Sequence, residues 1–148
     1  MPWKTYVAAG TLVVRENRLL LARTLREGVA RWEIAGGHQE PGETLEETAA
    51  RETLEETGIP VVVGALVCTY LLQRTAEERR VLCAYFIGDE RVPGMRPRSQ
   101  TEEEILDVDF LDPFRLDPAE IHPVDHAILQ RWWPERAWLA PFHLHFEK

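Results

Sequence analysis

A single helix with clear start and stop signals constrains the fold of this chain most. Thr44 and Glu47 have the spacing of a capping box, in which each side chain satisfies a backbone N–H group at the helix start. Gly58 can adopt the left-handed conformation that ends a helix, and Pro60 cannot continue one. The sequence therefore predicts a helix over Leu45–Thr57.

One side of this helix is strongly acidic. Glu52, Glu55 and Glu56 are spaced i, i+3 and i+4, so they share an arc of roughly 100°. Three carboxylates this close repel one another unless a cation lies among them. A solvated acidic face is the simpler interpretation, but a glycine-containing segment at positions 36–42 directly precedes the helix. Because glycines let a backbone approach a ligand closely, the combination favours a site for Mg²⁺ or Mn²⁺.

Composition limits the classes of function. The 148 residues are about the length of one domain, which we expect to span 1–148. The net charge of −8 argues against nucleic acid or a membrane surface as partner. The longest apolar stretch, Val61–Cys68, is too short to cross a membrane, and the first residues lack the basic segment and apolar core expected of a cleavable leader. We therefore expect a cytoplasmic protein. If its ligand is a phosphate compound, a divalent metal ion is the obvious source of positive charge.

The first third of the chain reads as strands. Tyr6–Val14 and Leu19–Thr24 are apolar runs around a short polar turn, which predicts a hairpin. Leu25–Arg31 is polar and contains glycine, so we expect a loop there. Trp32–Ala35 then predicts a short strand that leads into the glycines.

The remainder of the chain alternates strands with one more helix. Val61–Gln73 and Val81–Ile87 are predicted strands joined by a charged turn, and Ile105–Leu111 alternates as a strand. Pro123–Trp133 is predicted as a second helix because a proline opens it and another follows it. Phe142–Phe146 has a period of two and predicts an edge strand.

The glycine segment and the helix together resemble the Nudix box. Gly37, five residues, Glu43, seven residues and the run Arg51–Ile59 match this signature, except that Thr53 stands where the family usually has an aliphatic residue. Weaker similarity extends over most of the chain. The resemblance implies an α/β fold, an α/β/α sandwich around a mixed β-sheet. It also implies a metal-dependent hydrolase of nucleoside diphosphates linked to another group X.

The resemblance assigns roles to particular residues. The metal ligands would be the Gly36 carbonyl and the three carboxylates, and Arg51 would pair with Glu43 to fix the loop against the helix. The general base would be Glu52 or one of the acidic residues 102–104. The residues expected to take part in catalysis are Glu52, Glu43, Arg51 and Glu104, and the expected metal ligands are Gly36, Glu52, Glu55 and Glu56.

Four residues near the box are candidates for binding the substrate. Arg23 and Arg31 flank the predicted loop and could contact phosphates, although solvated loop charges explain them equally well. Trp32 could stack on a base, although a structural strand residue is the more common role. Gly37 completes this set because its backbone can approach a ligand.

Three functions, two enzymatic and one a binding function, are compatible with the sequence. The first is hydrolysis of a (d)NTP to a (d)NMP and pyrophosphate. The second is hydrolysis of ADP-ribose or a nucleotide sugar. The third, a non-catalytic nucleotide-binding module, is disfavoured because such proteins usually lose the box carboxylates. The partner in each case is a small nucleotide, and the sequence is compatible with a homodimer.

Overall fold

A computed structural model describes residues 2–101 and 104–146. Within these ranges the chain forms nine strands, two α-helices and three short 3₁₀ helices. The strands are β1 (Lys4–Leu12), β2 (Val14–Arg15), β3 (Arg18–Arg26), β4 (Val29–Ile34), β5 (Gly36–His38), β6 (Val61–Arg74), β7 (Arg79–Glu90), β8 (Ile105–Leu111) and β9 (Phe142–Phe146), and the α-helices are α1 (Leu45–Thr57) and α2 (Pro123–Trp132).

The strands form two sheets. The first is mixed, with the order β5-β1-β7-β6-β9, and it contains the parallel pairs β1/β7 and β6/β9. In the second sheet β3 pairs antiparallel with β2, β4 and β8. The predicted mixed α/β architecture is confirmed, and β9 does lie at a sheet edge. The second sheet is a feature that the single predicted sheet did not include.

The prediction for the first hairpin was wrong in its pairing. The chain leaves the mixed sheet after Leu12, and only Val14 and Arg15 pair with β3. The turn residues Glu16 and Asn17 have φ values of 50° and 61°, which suits a tight two-residue turn between antiparallel strands. The long strand β1 pairs instead with β5 and β7.

The predicted loop at Leu25–Arg31 is also a hairpin. Strand β3 continues to Arg26, and β4 begins at Val29. Glu27 and Gly28 form the turn, with φ values of 51° and 77°. Most residues of this hairpin near the turn are exposed, and several are charged. The sequence therefore lacks the alternation of apolar and polar residues by which a strand is recognised.

Helix α1 packs on one face of the mixed sheet, and its bounds match the prediction. Ala49 is fully buried against Ala9, Ala84 and Phe86, whose small and flat surfaces allow close helix–sheet packing. The capping box of Thr44 and Glu47 is formed, and Gly58 adopts a φ of 72° at the other end.

Thr53 is satisfied despite its departure from the family pattern. Its hydroxyl donates to the Ala49 carbonyl at 2.7 Å, as Ser and Thr often do within helices. The Thr11 hydroxyl of β1 lies 2.6 Å away and therefore donates to the Thr53 oxygen. The two buried hydroxyls thus join α1 to the sheet.

Helix α2 packs against the opposite face, in a core shared by both sheets. Ile128, Leu129 and Trp132 are almost completely buried there. The helix ends at Trp132, one residue earlier than predicted, and Trp133 is its C-cap. No helix in residues 2–101 or 104–146 is long and apolar enough to span a membrane.

Candidate active site

The acidic face of α1 opens into a pocket of about 260 Å³. Glu104, which precedes β8, also lines this pocket. The structure therefore brings together the helix carboxylates and a predicted base from a distant part of the chain. Residues 102 and 103, the other candidate bases, lie outside the described residues. The pocket is lined by Thr24, Arg26, Glu52, Glu55, Glu56, Thr101, Glu104 and Ile105.

Arg51 holds the glycine segment against the helix, as the resemblance implies. Its Nε and Nη2 atoms donate to the two carboxylate oxygens of Glu43 at 2.7 and 2.9 Å, and Nη2 also donates to the His38 carbonyl at 3.1 Å. The hydrogen bonds from Arg51, then that from the Glu40 N–H, lower the pKa of Glu43 to about 2. This two-pronged geometry fixes orientation more strongly than a single contact would.

Arg51 also balances the charge of the helix face. Its Nη1 atom donates to Glu52 at 2.9 Å and lies 3.4 Å from Glu55. Across the described ranges, no three acidic, histidine or cysteine side chains converge closely enough to hold an ion in their present orientations. Glu52 and Glu55 line the pocket together with Glu56, and a cation would have to compete with Arg51 for their oxygens.

Glu56 has the most perturbed carboxyl group of the pocket. Burial raises its pKa to about 9, and the negative charge of Glu52 contributes further. The Gly36 N–H donates to Glu56 at 3.3 Å, which opposes this shift in part. A nearby divalent cation would favour the ionised form. The all-oxygen donor set of Glu52, Glu55, Glu56 and the Gly36 carbonyl is chemically suited to Mg²⁺ or Mn²⁺.

Gly36 and Gly37 allow the backbone of β5 to lie close to both β1 and the helix. They pair with Gly10 and Ala9 of β1. A Cβ atom on residue 37 would stand 2.4 Å from the Cδ atom of Glu52, and one on residue 36 would stand 3.0 Å from the Ala9 carbonyl oxygen. Gly37 is therefore required for the position of Glu52, and its role in substrate binding stays a prediction.

The segment before β8 is tied to the C-terminal end of α1. The Arg98 N–H donates to the Thr57 carbonyl at 2.7 Å, and the Gln100 N–H donates to the Glu55 carbonyl at 2.8 Å. These bonds satisfy carbonyls that a helix end leaves without partners. The sequence of this segment has no helix or strand pattern that could have predicted these contacts.

The candidate substrate-binding residues are separated by the structure. Trp32 is only 8% exposed and lies in the main core, so it is a structural strand residue with no ring face open for stacking. Arg23 is exposed and is the cross-strand neighbour of Trp32. It is not among the described residues that line the carboxylate pocket. Arg31 lines a neighbouring cleft.

Arg26 is the arginine that lines the carboxylate pocket, and Glu33 pairs with it at 2.8 Å. Neither Arg26 nor Glu33 is among the four residues predicted from the sequence as candidates for binding the substrate. The signal that could have found them is the Glu27–Gly28 turn. Once the hairpin is recognised, strand alternation places Arg26 on the same face as Thr24, which also lines the pocket.

The family-model comparison matches the NUDIX domain over residues 4–132. Among curated relatives, a Bacillus subtilis protein provisionally named as an 8-oxo-dGTP diphosphatase is 32% identical over 82 residues, which cover 55% of this chain and 54% of that protein. The phosphatase NudJ of Escherichia coli is 42% identical over 57 residues, covering 38% of this chain and 37% of that protein. The chain thus spans about half or less of the length of these relatives.

A solved structure supports the fold. The crystal structure of a NUDIX hydrolase from Nitrosomonas europaea has a TM-score of 0.77 with 24% identity, covering 99% of this chain and 82% of that one. The family model also covers most of the sequence, including the glycine segment and the helix with its glutamates. The chain belongs to the NUDIX domain family.

Proposed function

We propose that this chain is a Mg²⁺-dependent pyrophosphohydrolase of nucleoside diphosphates linked to a group X, with (d)NTPs as preferred substrates. The observation that carries the proposal is the carboxylate pocket, in which Glu52, Glu55, Glu56 and Glu104 face one space beside the Gly36–Gly37 strand. The names of the Bacillus subtilis and Escherichia coli relatives, a diphosphatase and a phosphatase, agree with this class of reaction.

The metal would be held by the three helix glutamates and the Gly36 carbonyl. When bound, it would neutralise the pyrophosphate oxygens and acidify a water molecule. Arg51 and Glu43 keep the glycine strand in place against the helix. Arg51 also neutralises part of the negative charge of Glu52 and Glu55. The pocket can therefore admit an anionic substrate.

The general base would be Glu104 or Glu52. Glu104 is exposed at the pocket, and among the described residues it forms no ion pair. Glu52 is engaged by Arg51 at 2.9 Å and is also a proposed metal ligand. Glu104 is therefore the better placed of the two to accept a proton from the attacking water.

The direct test is an assay on a panel of nucleotides with Mg²⁺, Mn²⁺ or EDTA, with products resolved by chromatography. We expect hydrolysis only with metal, and a higher kcat/KM for (d)NTPs than for ADP-ribose. A preference for ADP-ribose, with AMP and ribose 5-phosphate as products, would contradict the substrate assignment. Nucleotide binding without hydrolysis of any compound would contradict the enzymatic proposal and support a binding module.

A further inference from the structure

A second cleft, rich in arginine, adjoins the carboxylate pocket. Its volume is about 530 Å³, within the usual range for small-molecule sites. It shares Arg26 and Glu104 with the carboxylate pocket, so the two spaces are adjacent. We name it the arginine cleft, and the basic residues that line it are Arg26, Arg31, Arg74, Arg79 and His122.

The basic and acidic side chains of the arginine cleft differ in how deeply they are buried. Arg31, Arg74 and Arg79 are half-buried, whereas the carboxylates that line the cleft, Glu27, Glu77 and Glu104, are all exposed. Exposed charges are screened by water and salt more strongly than partly buried ones. The interior of the cleft is therefore electropositive, although the protein carries a net charge of −8.

Arg79 is held in a fixed orientation within this cleft. Its guanidinium carbon lies 4.6 Å from the ring centre of Tyr6, and Nη2 lies 3.2 Å from the Nε2 atom of His38. Its Nε atom is buried and has no hydrogen-bond partner in the described part of the chain. Neither Arg79 nor Arg31 forms a salt bridge with a described carboxylate. Both guanidinium groups can therefore bind an external anion.

His122 adds a neutral donor to the cleft. Its Nδ1 atom accepts the Val124 N–H at 3.3 Å, so the ring proton of the neutral form lies on Nε2. Burial lowers the pKa of His122, and the positive charges of Arg26, Arg74 and Arg31 act in the same direction while Glu33 opposes them. The neutral ring can therefore donate a hydrogen bond from Nε2 to an anion in the cleft.

Resting on the proposed pyrophosphohydrolase activity, we propose that the arginine cleft binds the terminal phosphate groups of a nucleoside triphosphate. One guanidinium group can donate two parallel hydrogen bonds to two oxygens of the same phosphate. Arg31 and Arg79 therefore suit a phosphate better than an uncharged sugar. A nucleotide sugar places its two phosphates at the carboxylate pocket and has no third phosphate for the cleft. Arg31 and Arg79 therefore determine the preference for triphosphates.

The first experiment compares dGTP with ADP-ribose for wild type, Arg31→Gln and Arg79→Gln. We expect kcat/KM for dGTP to fall about ten- to hundredfold in each variant, with ADP-ribose little affected. Arg31→Lys keeps the charge without the planar fork and should recover part of the loss. Arg115→Gln is the matched control, because it makes the same charge change beside a separate pocket. Equal losses for both nucleotides, or none for dGTP, would overturn the proposal.

A second experiment measures binding without hydrolysis. Calorimetry with the magnesium complexes of inorganic tripolyphosphate and pyrophosphate should show that Arg31→Gln and Arg79→Gln weaken tripolyphosphate binding selectively. This result would hold even if no nucleotide were hydrolysed, so failure of the proposed activity and failure of the cleft assignment are distinguishable. If Arg79→Gln unfolds because it loses the Tyr6 contact, Arg31→Gln alone decides. Wild-type affinity for tripolyphosphate in Arg31→Gln would contradict the inference.

Discussion

The carboxylate of Glu52 packs directly against the Cα atom of Gly37. A Cβ atom at position 37 would stand 2.4 Å from Cδ and 2.6 Å from both carboxylate oxygens of Glu52, distances below 3.0 Å that real Cβ atoms do not adopt. A side chain at position 37 and the present orientation of Glu52 therefore exclude each other. The glycine of the loop and the glutamate of the helix act as one unit.

Gly37→Ala should impair the site while leaving the fold intact. Glu52 would be displaced, and changes that misplace a metal ligand typically cost about ten- to hundredfold in metal affinity or activity. Titration of activity with Mg²⁺ and thermal unfolding in EDTA measure both effects. Gly64→Ala is the control, because its added Cβ would meet nothing closer than 3.5 Å. Unchanged Mg²⁺ dependence in Gly37→Ala would show that Glu52 is not a ligand.

Arg51→Ala should loosen the segment 38–43 and lower activity. Glu43 and the His38 carbonyl lose their donors, so amide hydrogen exchange of the segment should speed up. Since the pKa of Glu43 is lowered in the folded protein, its contribution to stability is present above about pH 4.5 and is lost as pH falls toward about 2. This loss of stability at acid pH should be smaller in Arg51→Ala than in wild type. Wild-type hydrogen exchange and turnover in Arg51→Ala would show that the pair of Arg51 and Glu43 is only a surface contact, which typically contributes little.

Asp125 should make the stability of the protein depend on pH. This carboxyl group in α2 accepts the Ile34 N–H at 3.0 Å and the Tyr85 hydroxyl at 3.4 Å. Burial raises its pKa to about 8, and the charge of Glu33 contributes. The folded state therefore holds a proton that the unfolded state releases near pH 3.8, so stability falls as pH rises from about 4 to about 8, by at most about 1.4 kcal/mol per pH unit.

Asp125→Asn isolates this effect, because the amide resembles the neutral carboxyl in size. Urea unfolding over the same pH range should give a shallower decline for the variant, which becomes the relatively more stable protein above pH 8. Parallel stability curves for the two proteins would show that the Asp125 pKa is not raised.

The hydroxyl pair of Thr11 and Thr53 should show energetic coupling. Thr53→Val leaves the buried Thr11 hydroxyl without its 2.6 Å partner, at a cost of about 1–3 kcal/mol in the free energy of unfolding. Thr11→Val, Thr53→Val and the double variant complete a cycle in urea unfolding, with an expected coupling of about 0.5–3 kcal/mol. Turnover should hardly change, since Thr53 faces the sheet. Additive losses would mean that the two hydroxyls do not depend on each other.

The parts of the fold that were predictable have local causes. Helix α1 was predicted to the residue because its capping box and Gly58 act within a few positions of each helix end. The pair of Arg51 and Glu43 and the acidic face followed from the resemblance and the helical period. These features need no knowledge of what lies across the molecule.

The parts that were missed depend on distant pairing. The chain passes from one sheet to the other at Val13, and nothing in the apolar run of residues 6–14 marks this crossing. The hairpin of β3 and β4 was hidden by its exposed charges, and with it the position of Arg26. The proximity of Glu104 to the helix depends on pairing with β3, where the Leu25 N–H donates to the Glu104 carbonyl, and a contact between residues this far apart leaves no local pattern in the sequence.

The central claim is that Glu56 belongs to a metal-binding face used in catalysis. Glu56→Gln preserves size and helix propensity while removing one ligand charge. Glu47→Gln is the matched control, because it makes the same change on the same helix at an exposed residue. The side-chain amide oxygen of the new glutamine can still accept the Thr44 N–H, so the capping box is kept.

Steady-state kinetics with a Mg²⁺ titration, paired with thermal unfolding in EDTA, tests this claim most directly. We expect Glu56→Gln to lose nearly all turnover and to bind Mg²⁺ more weakly while its metal-free fold is as stable as wild type. We expect Glu47→Gln to keep most of its activity. Wild-type turnover in Glu56→Gln, or loss of activity in Glu47→Gln alone, would contradict the account by placing the catalytic face elsewhere on α1.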